Sequence, residues 1–123
     1  MIALMTSTQK SPIRILFVED DEEVRSFIEE FLTDAGYEVD TAGTVALGSS
    51  LLYTRKYDLA MVNGRLPDGT GLAVAQKAHQ VGVKSLMVTG YAYEFDRRRP
   101  DYLTILQKPV RNLLQAIENA LKA

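Results

Sequence analysis

The chain has no cysteine, no tryptophan and a single histidine, His79, among its 123 residues. The absence of cysteine excludes a disulfide framework, a thiolate metal site and a cysteine nucleophile. One histidine cannot form a histidine-rich metal site and gives little basis for a serine–histidine relay. Any metal site would therefore have to use oxygen ligands, chiefly carboxylates.

The sequence also lacks a long apolar run. No stretch reaches the roughly 18 residues that a membrane-spanning helix needs. The apolar start at residues 1–5 has no basic region ahead of it and is too short for a signal peptide. We therefore expect a soluble, cytoplasmic protein with no membrane partner, and a length of 123 residues suits one domain with one core.

Charge is nearly balanced overall, with a formal net charge of −2, but it is unevenly distributed along the chain. Residues 1–62 contain 11 acidic and 5 basic side chains, whereas residues 63–123 contain 5 acidic and 9 basic ones. The near-neutral total gives no general reason to expect nucleic acid or an anionic membrane as a partner. The asymmetry directs attention to the acidic cluster at residues 19–23.

Short apolar runs alternate with helical patterns along most of the chain. The predicted strands are residues 13–18, 37–41, 58–62, 85–88 and 103–106, and the predicted helices are about 24–35, 44–55, 72–80 and 111–122. This alternation predicts an α/β fold with a doubly wound, five-stranded parallel sheet. Residues 90–102 have room only for a short or irregular fourth helix. We expect residues 1–12 to form a flexible N-terminal tail and residues 13–123 to form the domain.

Polar side chains stand at the carboxyl ends of four predicted strands, where ligands of parallel sheets bind. They are Glu19 and Asp20 after the first strand, Asn63 after the third, Thr89 after the fourth and Lys108 after the fifth. Two carboxylates about 5 Å apart repel each other by about 3 kcal/mol at an effective dielectric constant of about 20. A Mg²⁺ ion would relieve that repulsion, although simple helix capping also explains acids at a helix start. With a hydroxyl and an ammonium group nearby, the set suits a phosphoryl group.

Four segments resemble the receiver domain of bacterial two-component response regulators, the CheY-like family. They are ILFVEDDEEVR at residues 15–25, YDLAMVNGRLPDGTG at 57–71, MVTG at 87–90 and QKPV at 107–110. The resemblance implies a flavodoxin-like fold and phosphorelay signalling. It also implies Mg²⁺-dependent transfer of phosphate from a histidine kinase or a phosphotransfer protein to an aspartate after the third strand.

The resemblance assigns roles to five positions besides the phospho-acceptor. Glu19 and Asp20 match the metal-binding acid pair, and the backbone carbonyl of Arg65 matches the main-chain metal ligand. Thr89 matches the switch hydroxyl, and Lys108 matches the lysine that pairs with phosphate. We therefore expect a complete set of supporting groups around residue 63.

The phospho-acceptor position itself is occupied by asparagine, Asn63. An amide is a poor nucleophile and carries no charge, so we expect phosphorylation at residue 63 to fail and Mg²⁺ binding to be weakened, with the amide oxygen still able to coordinate. Two origins stay open: a substitution that locks an otherwise intact receiver, or a naturally degenerate module that works by binding alone. The Asn63–Gly64 pair is also prone to deamidation, which would regenerate aspartate.

Two further departures concern the partner face of the family. The aromatic switch position holds Ile105, with Tyr102 as the nearest aromatic residue, and the stretch from Thr89 to Lys108 is short. The resemblance places a downstream partner protein on the face made by the fourth helix, the fifth strand and the last helix. We therefore expect a stand-alone receiver that acts through protein contacts there, without direct DNA binding.

An enzyme is not expected. A phosphohydrolase that forms an aspartyl phosphate would need an Asp-x-Asp pair after the first strand, whereas residues 19–21 read Glu-Asp-Asp without the accompanying threonine. Residues 69–71 lack the other glycines and the lysine of a nucleotide-binding loop, and acids stand where a flavin-binding module needs a phosphate-cradling loop. We interpret His79 as structural and the arginines at 97–99 as a solvated loop.

Overall fold

The computed structural model describes residues 11–123, in which five parallel strands form one sheet. In chain order the strands are β1 (Arg14–Val18), β2 (Glu38–Ala42), β3 (Leu59–Val62), β4 (Lys84–Thr89) and β5 (Leu103–Gln107). Their order in the sheet is β2-β1-β3-β4-β5. The doubly wound α/β fold is therefore confirmed, while residues 1–10 of the predicted tail lie outside the described residues.

Four α-helices cover the two faces of the sheet. They are α1 (Glu22–Asp34), α2 (Val45–Thr54), α3 (Gly71–Gln80) and α4 (Leu113–Lys122). One core cluster packs α2 and α3 against the sheet, and a second cluster packs α1 and α4 against the opposite face. No helix in the described part of the chain is both long and apolar enough to cross a membrane.

The strand β1 shows why a continuous apolar run is required. Leu16 and Val18 enter the cluster under α2 and α3, whereas Ile15 and Phe17 enter the cluster under α1 and α4. Successive side chains of a strand point to opposite faces, so a strand covered on both sides must be apolar at every position. The acids begin directly after this apolar run, and burial extends to Glu19 but not to Asp20.

Two short polar side chains cap the N-termini of α1 and α2. Asp21 caps α1 by accepting hydrogen bonds from two amides of its first turn, and Thr44 caps α2 by accepting one from Leu47 N–H. Asp68, in the loop after β3, accepts a hydrogen bond from Val45 N–H at the start of α2. This bond is the main cause of the lowered pKa of Asp68. The loop that follows β3 is therefore held against α2.

That loop contains a small hairpin, in which Arg65–Leu66 pairs with Gly69–Thr70 in antiparallel orientation. The sequence predicts only turns here, because two-residue strands have no detectable periodicity. The hairpin lies directly between β3 and α3. It therefore gives the residues after Asn63 a defined backbone path.

Between β4 and β5 the chain forms two single 3₁₀ turns, Ala92–Glu94 and Asp96–Arg98, in place of a regular helix. We call residues 90–99 the 3₁₀ segment. Phe95 lies between the two turns and is only 1% exposed, whereas Tyr93 is 71% exposed. The expectation of a short, irregular fourth helix is confirmed, and one buried ring anchors the segment to the core.

Candidate functional site

The candidate site lies at the carboxyl edge of the sheet, where β1 and β3 end side by side. Val18 pairs with Val62, and the Asn63 N–H donates to the Val18 carbonyl at 2.9 Å. Because the two strands end in register, the residues that follow them meet above the same edge. Glu19 and Asp20 are thereby placed next to Asn63.

The side-chain amide of Asn63 occupies the centre of this site. Its Nδ2 lies 3.2 Å from Glu19 Oε2, 3.4 Å from Asp20 Oδ1 and 3.1 Å from the Arg65 carbonyl oxygen. Its Oδ1 accepts a hydrogen bond from Gly64 N–H at 3.0 Å. The structure therefore brings together the four residues named as metal ligands, with the amide nitrogen directed at the other three oxygens. We call these four residues the acid pocket.

Glu19 is a buried carboxylate, 3% exposed, and it has partners on both oxygens. Its Oε1 lies 3.3 Å from Lys108 Nζ, and its Oε2 also accepts a hydrogen bond from Asp21 N–H at 3.2 Å. A buried charge is tolerated only when it is paired and hydrogen-bonded. Lys108 thus serves as the counter-charge of Glu19 in this structure. The Lys108–Pro109 peptide bond is cis.

Thr89, the last residue of β4, borders Gly64, the residue that follows Asn63. It is fully buried, and its Oγ1 accepts a hydrogen bond from Tyr91 N–H at 3.1 Å. A Cβ atom on Gly64 would lie 2.6 Å from Thr89 Oγ1, which no real side chain tolerates. Glycine is therefore required at residue 64 for the Thr89 hydroxyl to approach the chain beside Asn63.

The ring of Phe95 also borders Gly64. A Cβ on Gly64 would lie 2.7 Å from Phe95 Cε2, so Thr89 and Phe95 flank the same glycine. Ile105, at the aromatic switch position, is partly buried and packs against the cluster that contains Phe95. Tyr102 instead stacks on His79, with ring centroids 3.9 Å apart. The sequence offered no signal for Phe95 beyond an aromatic residue in a polar stretch.

A comparison of the chain with known protein families identifies the family to which this fold belongs. The model of the response regulator receiver domain matches residues 15–118. The chain belongs to the response regulator receiver domain family. It is therefore a receiver domain of two-component signal transduction, and the recognition drawn from the four motifs is confirmed.

Relatives of the receiver include short and long proteins. The response regulator receiver protein CpdR of Brucella abortus is 30% identical over 117 residues, which cover 89% of this chain and 98% of CpdR. The transcriptional regulatory protein DltR of Streptococcus agalactiae is 30% identical over 87 residues, covering 69% of this chain but only 39% of DltR. A solved CheY-like receiver domain from Methanospirillum hungatei has a TM-score of 0.80 at 34% identity, covering 91% of this chain and 95% of that one.

The acid pocket of this receiver has the donor types that suit a hard cation. Two carboxylates, one amide and one backbone carbonyl all offer oxygen, which Mg²⁺ prefers. Across residues 11–123, no group of three or more His, Cys, Asp or Glu side chains is placed to hold a metal ion. The Asn63 amide would have to turn by about half a rotation to present its oxygen, because its nitrogen now faces the acids.

Proposed function

We propose that this receiver domain does not accept a phosphoryl group at residue 63, and that it acts in two-component signalling through protein contacts. The observation that carries the proposal is the position of Asn63 after β3, with its Nδ2 3.2 Å from Glu19 Oε2. An aspartate carboxylate at this position could attack phosphorus. The amide nitrogen lone pair is delocalised, so Asn63 has no comparable nucleophile.

The amide also changes the electrostatics of the pocket. Its two N–H donors are shared among three oxygen atoms, those of Glu19, Asp20 and the Arg65 backbone. A third carboxylate would instead repel the other two, by an amount of the order of 3 kcal/mol per pair at about 5 Å. Asn63 therefore stabilises the acid pair without a metal ion, and it removes part of the attraction for a cation.

Receiver domains bind Mg²⁺, and the response regulator TrrA of Thermotoga maritima, 24% identical with a TM-score of 0.75, was solved in complex with Mg(2+)-BeF. In this chain we propose Glu19, Asp20, the Arg65 carbonyl and the turned Asn63 amide oxygen as the metal ligands. When bound there, Mg²⁺ would offset the two carboxylates and polarise a phosphoryl oxygen. Asn63 weakens this site because it competes for the same oxygens.

Two further residues complete the proposed site. Thr89 offers a hydroxyl beside Gly64, and Lys108 offers an ammonium group 3.3 Å from Glu19 Oε1. We propose that these groups would contact the oxygens of a phosphoryl group, as hydrogen-bond donor and counter-charge. Ile105 lacks the ring and the hydrogen-bonding group of an aromatic switch, so it is a packing residue here.

Receiver domains interact with histidine kinases or phosphotransfer proteins and with downstream effectors. For this chain we propose a downstream protein partner on the face made by the 3₁₀ segment, β5 and α4. We propose no direct contact with DNA, because the net charge of −2 provides no general attraction to phosphates.

One observation favours a second candidate, a module whose interactions do not depend on phosphorylation at all. The Asn63 amide and Lys108 already satisfy the Glu19 carboxylate, so this buried charge needs no added ligand. In that case, binding to a partner would be the same with and without phosphodonor and Mg²⁺. A regulated receiver would instead respond to both.

The proposal is tested by incubating the chain as written with acetyl phosphate and Mg²⁺. We expect its intact mass to show no phosphoryl adduct, because residue 63 provides no carboxylate. A stable adduct mapped to Asn63 would overturn the proposal. Steady release of inorganic phosphate from phosphate esters by the purified chain would identify an enzyme, and we expect none.

A Mg²⁺ titration tests the metal site. We expect binding in the millimolar range or weaker for the chain as written, and roughly tenfold tighter binding for Asn63→Asp, which restores a third carboxylate. Asp20→Ala should lose measurable binding. Asp101→Ala removes the same charge from a loop away from the acid pocket and serves as the matched control. Equal affinities for Asp20→Ala and Asp101→Ala would contradict the assignment of the site.

A further inference from the structure

The 3₁₀ segment is attached by three separate contacts to residues that lie just after β3 or at the end of β4. The first is the hydrogen bond from Tyr91 N–H to Thr89 Oγ1, at 3.1 Å. The second is the packing of Phe95 beside Gly64, where a Cβ would lie 2.7 Å from the ring. The third is made by Arg65. Two of the three partners, Gly64 and Arg65, directly follow Asn63 along the chain, and the third, Thr89, borders Gly64.

Arg65 contacts the acid pocket and the segment at the same time. Its backbone carbonyl accepts a hydrogen bond from Asn63 Nδ2 at 3.1 Å. Its Nε donates to Glu94 Oε2 at 3.1 Å, its Nη2 pairs with the other carboxylate oxygen, and its guanidinium carbon lies 3.5 Å from the centroid of the Tyr91 ring. A two-point carboxylate contact with ring stacking fixes the orientation of the guanidinium.

The strand β5 also holds the segment, because Gln107 accepts a hydrogen bond from Ala92 N–H at 3.1 Å and donates one to the Gly90 carbonyl at 2.8 Å. The contact of Arg65 with Glu94 is separate from these bonds and does not involve the aromatic switch position. Ile105 has no hydrogen-bonding side chain and contributes only apolar packing. The Arg65–Glu94 contact joins two guanidinium nitrogens to the two carboxylate oxygens, so it connects the loop after β3 directly to the 3₁₀ segment.

We propose that Arg65 is a positioning residue that couples the state of the acid pocket to the exposed surface of the 3₁₀ segment through its pair with Glu94. A ligand that draws the Arg65 carbonyl away from Asn63 moves the peptide that carries the guanidinium, and thereby moves Tyr91 and Glu94. The surface that responds carries Tyr91, Tyr93, Arg97 and Arg98. The response to a ligand rests on the proposed metal site, whereas the positioning of the segment by Arg65 does not.

Hydrogen exchange of the protein with Asn63 tests whether Arg65 positions the 3₁₀ segment. Glu94→Ala removes the pair, and we expect the amides of residues 91–98 to exchange about twofold to fivefold faster, with α4 unchanged. Glu94→Gln keeps an acceptor for Arg65 and should give an intermediate rate. Asp96→Ala removes an acid of the same segment that forms no salt bridge among the described residues, and it should leave these rates unchanged. Equal rates in Glu94→Ala and Asp96→Ala would overturn the positioning role.

The coupling between the acid pocket and the 3₁₀ segment is tested in the Asn63→Asp variant, with Mg²⁺ as the probe. We expect Mg²⁺ to change exchange at residues 91–98 in Asn63→Asp, and we expect that change to fall by at least half when Glu94→Ala is added. Mg²⁺ affinity, measured in the same samples, should change by no more than about the factor seen in the exchange rates, because Glu94 is not a ligand and coupling between two sites is reciprocal. An undiminished response in the double variant would overturn the coupling. Failure of Asn63→Asp to bind Mg²⁺ would overturn both the metal site and the coupling, while the exchange rates without Mg²⁺ still decide the positioning role.

Discussion

Asn63→Asp will accept a phosphoryl group from acetyl phosphate in the presence of Mg²⁺, whereas the chain as written will remain unlabelled. The substitution places a carboxylate oxygen beside Glu19, Asp20 and the Arg65 carbonyl, where the Asn63 amide now lies. That oxygen attacks phosphorus, acetate leaves, and an aspartyl phosphate forms. The hydroxyl of Thr89 and the ammonium group of Lys108 are already present. Replacing the NH₂ group of Asn63 with oxygen is therefore expected to be sufficient for phosphorylation.

The measurement is intact mass combined with peptide mapping of the modified residue. Asn63→Gln keeps the amide and is the matched control, which we expect to remain unlabelled. Adding Lys108→Ala to Asn63→Asp should strongly reduce labelling, because it removes the counter-charge 3.3 Å from Glu19. The protein with Asn63 must first be shown to retain its amide, since ammonia loss from Asn63 would create aspartate. Equal labelling of the chain as written and Asn63→Asp would refute the assignment of residue 63.

Phe95→Ala will lower the free energy of unfolding by about 3–5 kcal/mol, the usual cost of truncating a buried phenylalanine. Phe95 is 1% exposed and belongs to the cluster under α2 and α3. The 3₁₀ segment has no other fully buried side chain and no regular helix, so little else can compensate for the lost ring. Chemical denaturation measures the change.

Tyr93→Ala provides the matched control for this loss. It removes an aromatic ring from the same segment, two residues away, but the ring of Tyr93 is 71% exposed. Truncation of a surface side chain usually changes stability by less than about 0.5 kcal/mol. If both variants lost the same stability, Phe95 would not be the anchor of the segment.

The fold was predictable because a strand that is covered on both faces of the sheet appears in the sequence as a continuous apolar run. The run at residues 13–18 predicts β1, which the structure gives as Arg14–Val18. The face of α1 was harder to interpret. Its apolar positions share one side, yet Phe27 is 68% exposed and only Leu32 is fully buried, because α1 packs mainly along β1 and β2. Periodicity indicates a face but not how much of it a neighbour covers.

The candidate site was predictable in its location and not in its contacts. The rule that ligands bind beyond the strand ends places Glu19, Asp20 and Asn63 together, and the structure has their side chains in contact. The direction of the Asn63 amide depends on which groups surround it in three dimensions. The same holds for Phe95, whose distance along the chain from Gly64 gives no indication that it packs there.

The crowding at Gly64 has a practical consequence for anyone who handles this protein. The usual way to protect an Asn-Gly pair from chemical ageing is to replace the glycine with a bulkier residue. Here even an alanine Cβ would lie 2.6 Å from Thr89 Oγ1 and 2.7 Å from Phe95 Cε2, so that repair would damage the fold. An unphosphorylated sample that resists deamidation must therefore be made by changing residue 63 itself, and Asn63→Gln is the natural choice.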